Sequence, residues 1–182
     1  MTRPWTSAML TVSALMLAVA PAQAASEAAV LRMLKTPVAN DATLASLMGK
    51  WRGRGKARAG SDKPPEATQC RFTNRWAAGG KLAHLLLACR GTEIRFTAEG
   101  YLGRSKASYL GAWSTSTGRR VTMSGARASS GLRLTLTATG DTTAPTSNFT
   151  LRVSGKRLTA KLTARDPRTG KIFTAFETTL KR

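Results

Sequence analysis

The chain has 182 residues, with 29 Lys and Arg against 9 Asp and Glu, one His and two Cys. A net charge of +20 and a hydrophobic content of 42% suit one basic folded domain and exclude wholesale disorder. One His, two Cys and few acids leave little material for a metal centre or a histidine-centred nucleophile, so a non-enzymatic protein without a cofactor is expected.

The N-terminus reads as an address. Arg3 is the only charge before Glu27, Ala8 to Ala20 is apolar, and Ala22-Gln23-Ala24 ends on small residues. Residues 1–24 therefore read as a secretory signal peptide, and the apolar run is too short to span a bilayer comfortably. The expected location is the periplasm or the exterior, with no transmembrane span in the mature protein.

Residues 25–48 read as a helical segment. Ala28, Leu31 and Leu34 repeat at helical spacing until Pro37, and Asn40 or Asp41 can cap a second short helix through Leu44 and Leu47. The segment is expected to pack on the following domain as a lid or end-plug.

Residues 49–182 change to a period of two. Cys70, Phe72, Asn74 and Trp76 alternate with Arg71, Thr73 and Arg75, and similar sets follow at Ala83 to Cys89, Ile94 to Ala98, Leu132 to Leu136, Phe149 to Val153 and Leu158 to Ala164. Ile172, Thr174, Phe176 and Leu180 close the series. Turn signals recur between the sets, among them Gly103-Arg104-Ser105, Gly155-Lys156 and Asp166 to Gly170. This is the pattern of an all-β antiparallel meander of eight to ten strands, half-solvated on one face. Closure into an up-and-down barrel removes its edges, and a two-sheet sandwich is the alternative.

The cysteines fit one hairpin. A two-residue turn at Gly79-Gly80 sets Ala78 against Lys81, and the same register sets Cys70 opposite Cys89. In an exported chain that pair is expected to form a disulfide.

Gly49-Lys50-Trp51 follows the short helix and opens the first strand. This G-x-W resembles the start of a lipocalin or wider calycin barrel. The resemblance implies that Trp51 packs across the closed end, against a basic residue of the last strand such as Lys181 or Arg182. The early Trp, the single disulfide and the barrel size also resemble small secreted inhibitors of metalloproteases, which implies protein–protein contact as an alternative role. The string Trp51-x-Gly53-x-Gly55, Cys70-Arg71, Cys89-Arg90 and Tyr109-Leu110-Gly111-x-Trp113 is similar to that of exported alphaproteobacterial proteins without assigned activity.

Little catalytic material is in view. His84 faces Arg75 in the hairpin register, with no acid near it in sequence to orient it. Glu93 and Glu99, placed in one strand, are about 20 Å apart, too far to act on one bond. The G-x-S-x-G, CxxC and HxxxH patterns are absent.

Two binding surfaces are candidates. Arg52, Arg54, Lys56 and Arg58 alternate along the first strand and project from one face, about 7 Å apart, a candidate site for an anionic envelope surface. The stripe carries no exposed aromatic platform, and with the export signal this opposes nucleic acid as partner. On the other face, Gly53, Gly55 and Gly111 leave gaps that allow either tight coiling or a cavity. Phe72, Phe96, Tyr109, Trp113 and Leu134 are the candidate lining of a pocket for a small apolar ligand.

Overall fold

The computed structural model describes residues 26–140 and 145–182; the expected signal peptide lies outside them. Ten antiparallel strands follow two short helices: β1 (Gly49–Ala57), β2 (Glu66–Ala77), β3 (Leu82–Arg90), β4 (Arg95–Ser105), β5 (Ser108–Thr115), β6 (Arg120–Ala128), β7 (Gly131–Ala138), β8 (Ser147–Ser154), β9 (Arg157–Arg165) and β10 (Ile172–Lys181). Each pairs with its sequence neighbour, and β1 pairs with β10, so the sheet is a closed up-and-down barrel. The sandwich alternative falls.

The period-two pattern builds this wall directly. Inward residues such as Trp51, Phe72, Leu85, Leu102, Leu134, Phe149 and Leu180 are fully or almost fully buried and form one core. Their outward neighbours are mostly Thr, Arg and Lys. The first part of the last strand departs from the pattern. The β9–β10 register shifts between Thr174 and Phe176, so Thr174 pairs with Thr163 while Phe176 pairs with Leu162. A bulge exchanges the two faces. Thr174 and Ile172 therefore turn outward, and Ile172 is 64% exposed although the alternation put it inside.

The β2–β3 hairpin keeps the expected register, with Cys70 opposite Cys89 and the two joined as a disulfide. The turn is longer than expected. Pairing stops at Ala77 and Leu82, and Ala78, Gly79 and Gly80 all take positive φ. The backbone N–H of Asn40 donates to the Gly80 carbonyl, tying this longer turn to the segment before the second helix. The bridge closes a loop of 19 residues in sequence. Reduction, or the double change Cys70→Ala/Cys89→Ala, should lower the unfolding free energy by about 2–3 kcal/mol, chiefly by freeing the unfolded chain. Urea titration with and without reductant measures this, and the double variant should not respond to reductant.

The helical segment divides in two. α1 (Glu27–Met33) is capped by Ser26, whose hydroxyl accepts from the Ala29 N–H. It buries Val30 and Leu34, rather than Ala28, against the outer side of the wall at Leu82, Tyr101 and Leu110. Gly103 is part of this seat: it lies inside β4, not in a turn, and a Cβ there would meet Leu34 Cδ1 at 2.4 Å. The turn itself is Lys106-Ala107, with Lys106 at φ 54°. α2 (Ala42–Leu47) is the end-plug. Asp41 caps it by accepting from the Leu44 N–H, and Leu44 and Leu47 enter the barrel core.

The interior gaps are tight coiling. A Cβ on Gly53 would lie 2.1 Å from the Thr179 carbonyl oxygen, and one on Gly111 would lie 2.3 Å from that of Tyr101. Neighbouring backbone fills the space that those missing side chains vacate.

Candidate functional site

The exposed stripe on β1 is part of a larger basic wall. Arg52 and Arg54 project outward and are exposed, as expected. Their register partners extend the charge across the sheet. One row reads Arg157 (β9), Lys181 (β10), Arg52 (β1) and Arg71 (β2). The adjacent row holds Arg152 (β8), then Thr159 and Thr179, then Arg54 (β1), Gln69 (β2), Arg90 (β3) and Arg95 (β4). All eight cations are exposed, and none forms an ion pair among the described residues.

Two of the four expected stripe residues have different surroundings. Lys56 pairs in register with Glu177, whose carboxylate lies 3.7 Å from Lys161. Arg58 lies beyond the end of β1. Its N–H donates to the Ala175 carbonyl, its side chain is half-buried, and its Nε has no hydrogen-bond partner among the described residues. The row has ended there because pairing has ended.

A shallow depression of about 660 Å³ sits on this wall, bordered by Arg52, Arg54, Arg71, Arg90 and Arg95 with Gln69 and Thr97 between them. A second, of about 500 Å³, adjoins it at Arg54, Arg90 and Thr92. Closely spaced, unpaired guanidinium groups repel one another, and an anion with several oxygens relieves that repulsion while accepting forked hydrogen bonds. Reading along one strand finds Arg52 and Arg54 but not Arg71, Arg90 and Arg95, whose alignment follows from the hairpin registers.

His84 faces Arg75, and its Nδ1 accepts from Arg75 Nε at 3.2 Å. An acid does reach it: Glu99 Oε1 lies 2.8 Å from His84 Nε2. Glu99 is delivered by β4, two residues before Tyr101, the register partner of His84. With Nδ1 accepting, the network assigns the ring hydrogen to Nε2, donated to Glu99. Both ring nitrogens are thereby engaged. Glu93 does not share a strand with Glu99 as expected: it lies in the turn before β4, and its N–H donates to the Glu66 carboxylate.

The candidate pocket residues all enter the core but do not converge on one lining. Tyr109 is directed at α2, its hydroxyl donating to Asp41 Oδ1 at 2.9 Å. Phe96 packs edge-on against Phe176, and Trp113 against Phe149, with ring centroids 5.3 and 5.2 Å apart. Phe72 and Leu134 are fully buried in the same core. Trp113 is 4% exposed, and its Nε1 has no hydrogen-bond partner among the described residues. No group of three or more His, Cys, Asp or Glu is arranged to hold a metal ion among the described residues.

At the α2 end, Trp51 and Arg182 meet as the G-x-W resemblance implied. The Arg182 guanidinium lies 4.3 Å from the Trp51 ring centroid, whereas Lys181 turns outward into the basic wall.

Comparison with known proteins agrees with this architecture. The crystal structure of Rv2717c from M. tuberculosis is similar, with a TM-score of 0.63 and 16% sequence identity, covering 76% of this chain and 94% of that one. At that identity the likeness concerns the fold. No curated protein matches. Residues 36–175, three-quarters of the chain, match a family described as "Protein of unknown function (DUF1579)", and the chain belongs to that family.

Proposed function

We propose that this barrel is an exported, non-catalytic binding protein that docks through its cationic wall on an anionic surface of the cell envelope. The observation that supports the reading is the wall itself: eight exposed, unpaired cations in two adjacent rows, with acids outnumbered three to one in the whole chain. The disulfide fits an oxidising compartment, and no helix among the described residues is long and apolar enough to cross a membrane. The packing of α1 favours this role over the inhibitor-like alternative. Residues Glu27–Met33 are helical and seated on the wall, so this stretch is engaged within the molecule rather than presented for the protein–protein contact that the inhibitor resemblance implies.

Binding carried by exposed charge is screened by salt. The test is sedimentation with vesicles containing phosphatidylglycerol, alongside binding to long-chain polyphosphate, each in low and high salt. The expected result is saturable binding to at least one probe that weakens by at least tenfold as salt rises. Failure to bind either probe in low salt, or binding indifferent to salt, overturns the reading.

A second reading keeps a small, mainly apolar ligand inside the barrel. The observation favouring it is the unpartnered Nε1 of Trp113, two residues from the end of β5 that lies away from α2. A ligand acceptor reaching that N–H should quench Trp113 fluorescence saturably, and Trp113→Phe should remove the response. Absence of saturable uptake of an apolar fluorescent probe rejects it.

A further inference from the structure

We infer that the occupant of the cationic wall is a flexible linear polyanion with phosphate repeats, wound obliquely around the barrel, rather than a flat bilayer. This inference rests on the reading of the wall as an anion-docking surface and specifies its partner.

Seven consecutive strands, β8, β9, β10, β1, β2, β3 and β4, each present at least one exposed cation within the two rows: Arg152, Arg157, Lys181, Arg52 with Arg54, Arg71, Arg90 and Arg95. Seven of ten strands in a closed barrel span more than half its circumference. A plane touches only the strands on one side of a cylinder, so a bilayer leaves part of this girdle unused. A flexible chain can follow it.

The direction of the rows adds a second constraint. Register partners lie along the hydrogen-bond direction, roughly perpendicular to the strands, and strands in a barrel tilt by about 35–45° from its axis. The rows therefore climb obliquely. Lys181 and Arg157 sit where β10 ends and β9 begins, at the α2 end, whereas Arg90 and Arg95 flank the β3–β4 turn at the opposite end. Five steps of about 4.8 Å separate the β9 and β4 positions, a path of about 24 Å along the wall.

The side-chain chemistry narrows the class. Seven of the eight cations are Arg, whose planar fork matches phosphate oxygens. The other row positions from β9 to β4 are Gln69, Ala88, Thr97, Thr159 and Thr179. None of these five carries an aromatic face for a base or a large apolar side chain for an acyl layer, and Phe96, which also lines the depression, packs edge-on against Phe176. The one large hydrophobic residue with high exposure among the described residues, Ile172, pairs with Arg165, outside the two rows.

The test compares Arg52→Gln/Arg71→Gln, at the centre of the girdle, with Arg119→Gln/Arg127→Gln, off it but equal in charge removed. Probes are long-chain polyphosphate, tripolyphosphate and phosphatidylglycerol vesicles, with circular dichroism to verify folding. Polyphosphate affinity should far exceed that of tripolyphosphate. It should fall about tenfold or more in the girdle variant and less than about twofold in the control. The slope of log affinity against log salt should shrink by about 0.7 for each girdle cation removed that contacts the chain. Equal losses in both variants would reduce the effect to net charge and overturn the inference. Vesicle binding without length-dependent polyphosphate binding would also overturn it while leaving the docking reading intact. Binding to neither would remove both.

Discussion

Trp51→Ala should lower the unfolding free energy by about 4 kcal/mol, the largest effect expected of a single substitution in this barrel. The indole is fully buried where β1 leaves the plug helix, and removing a buried aromatic side chain from a packed core costs about 3–5 kcal/mol. Trp51 also ties the plug to the barrel. Its Nε1 donates to the Leu47 carbonyl at 2.8 Å, and Asn74 Nδ2 donates to the same oxygen at 2.8 Å. Arg182 covers the ring from outside and donates through Nη2 to the carbonyls of Ser46 and Met48 at 3.1 and 2.7 Å. Helix ends leave carbonyls without intrahelical partners, and Trp51 on β1, Asn74 on β2 and Arg182 just after β10 supply donors to those at the end of α2. Arg182→Ala should cost less, about 1 kcal/mol, because the guanidinium is exposed and contributes a cation–π contact with two carbonyl bonds. Thermal and urea unfolding of the two variants check the order. A Trp51→Ala loss no larger than that of Arg182→Ala would show that the plug is not held through the indole.

What the sequence discloses about this molecule follows the range of the interaction. The Cys70–Cys89 register is legible because hairpin pairing is local: it survives even though the turn is two residues longer than the Gly79-Gly80 signal suggests. The Trp51 latch is legible through resemblance, and Arg182 rather than Lys181 fills the partner role because the strand alternation sends Lys181 outward. Period two cannot foresee an inserted residue, so the bulge at β10 reverses Ile172. Nor does it bring Glu99 to His84, a contact made across two strands at a diagonal. The basic wall lies between these cases. Arg52 and Arg54 are visible in one strand, but their continuation through Arg71, Arg90 and Arg95 requires three successive hairpin registers, and the contribution of Lys181 and Arg157 requires barrel closure.

Asp41→Ala should cost about 2–4 kcal/mol, and Asp41→Asn distinctly less, because this one carboxylate closes three contacts. It is 4% exposed. Oδ1 accepts from the Leu44 N–H at 3.0 Å and from the Tyr109 hydroxyl at 2.9 Å, while Oδ2 accepts from Arg104 Nη1 at 2.8 Å. Loss of the cap alone costs about 1 kcal/mol, and leaving the buried Tyr109 hydroxyl without an acceptor adds about 1–3 kcal/mol. Asn retains an oxygen for the cap or for Tyr109 but not the charge that faces Arg104. Burial alone would push the Asp41 carboxyl up, yet the hydrogen bonds from Arg104, Leu44 and Tyr109 outweigh it and hold the group below its ordinary value. Such a group favours the folded state fully above the pKa it has in the unfolded chain, about 3.9, and that contribution disappears as pH falls through the lower folded value. The wild-type barrel should therefore lose stability on acidification below about pH 4, and Asp41→Asn should lose less over the same interval. A residual acid dependence should persist in the variant, because the Ser61 hydroxyl and the N–H groups of Thr169 and Arg168 hold the Asp166 carboxyl low in the same way. Urea unfolding of both proteins from neutral to acidic pH decides the matter: parallel curves would remove Asp41 as the titrating group, and convergence toward low pH would establish it.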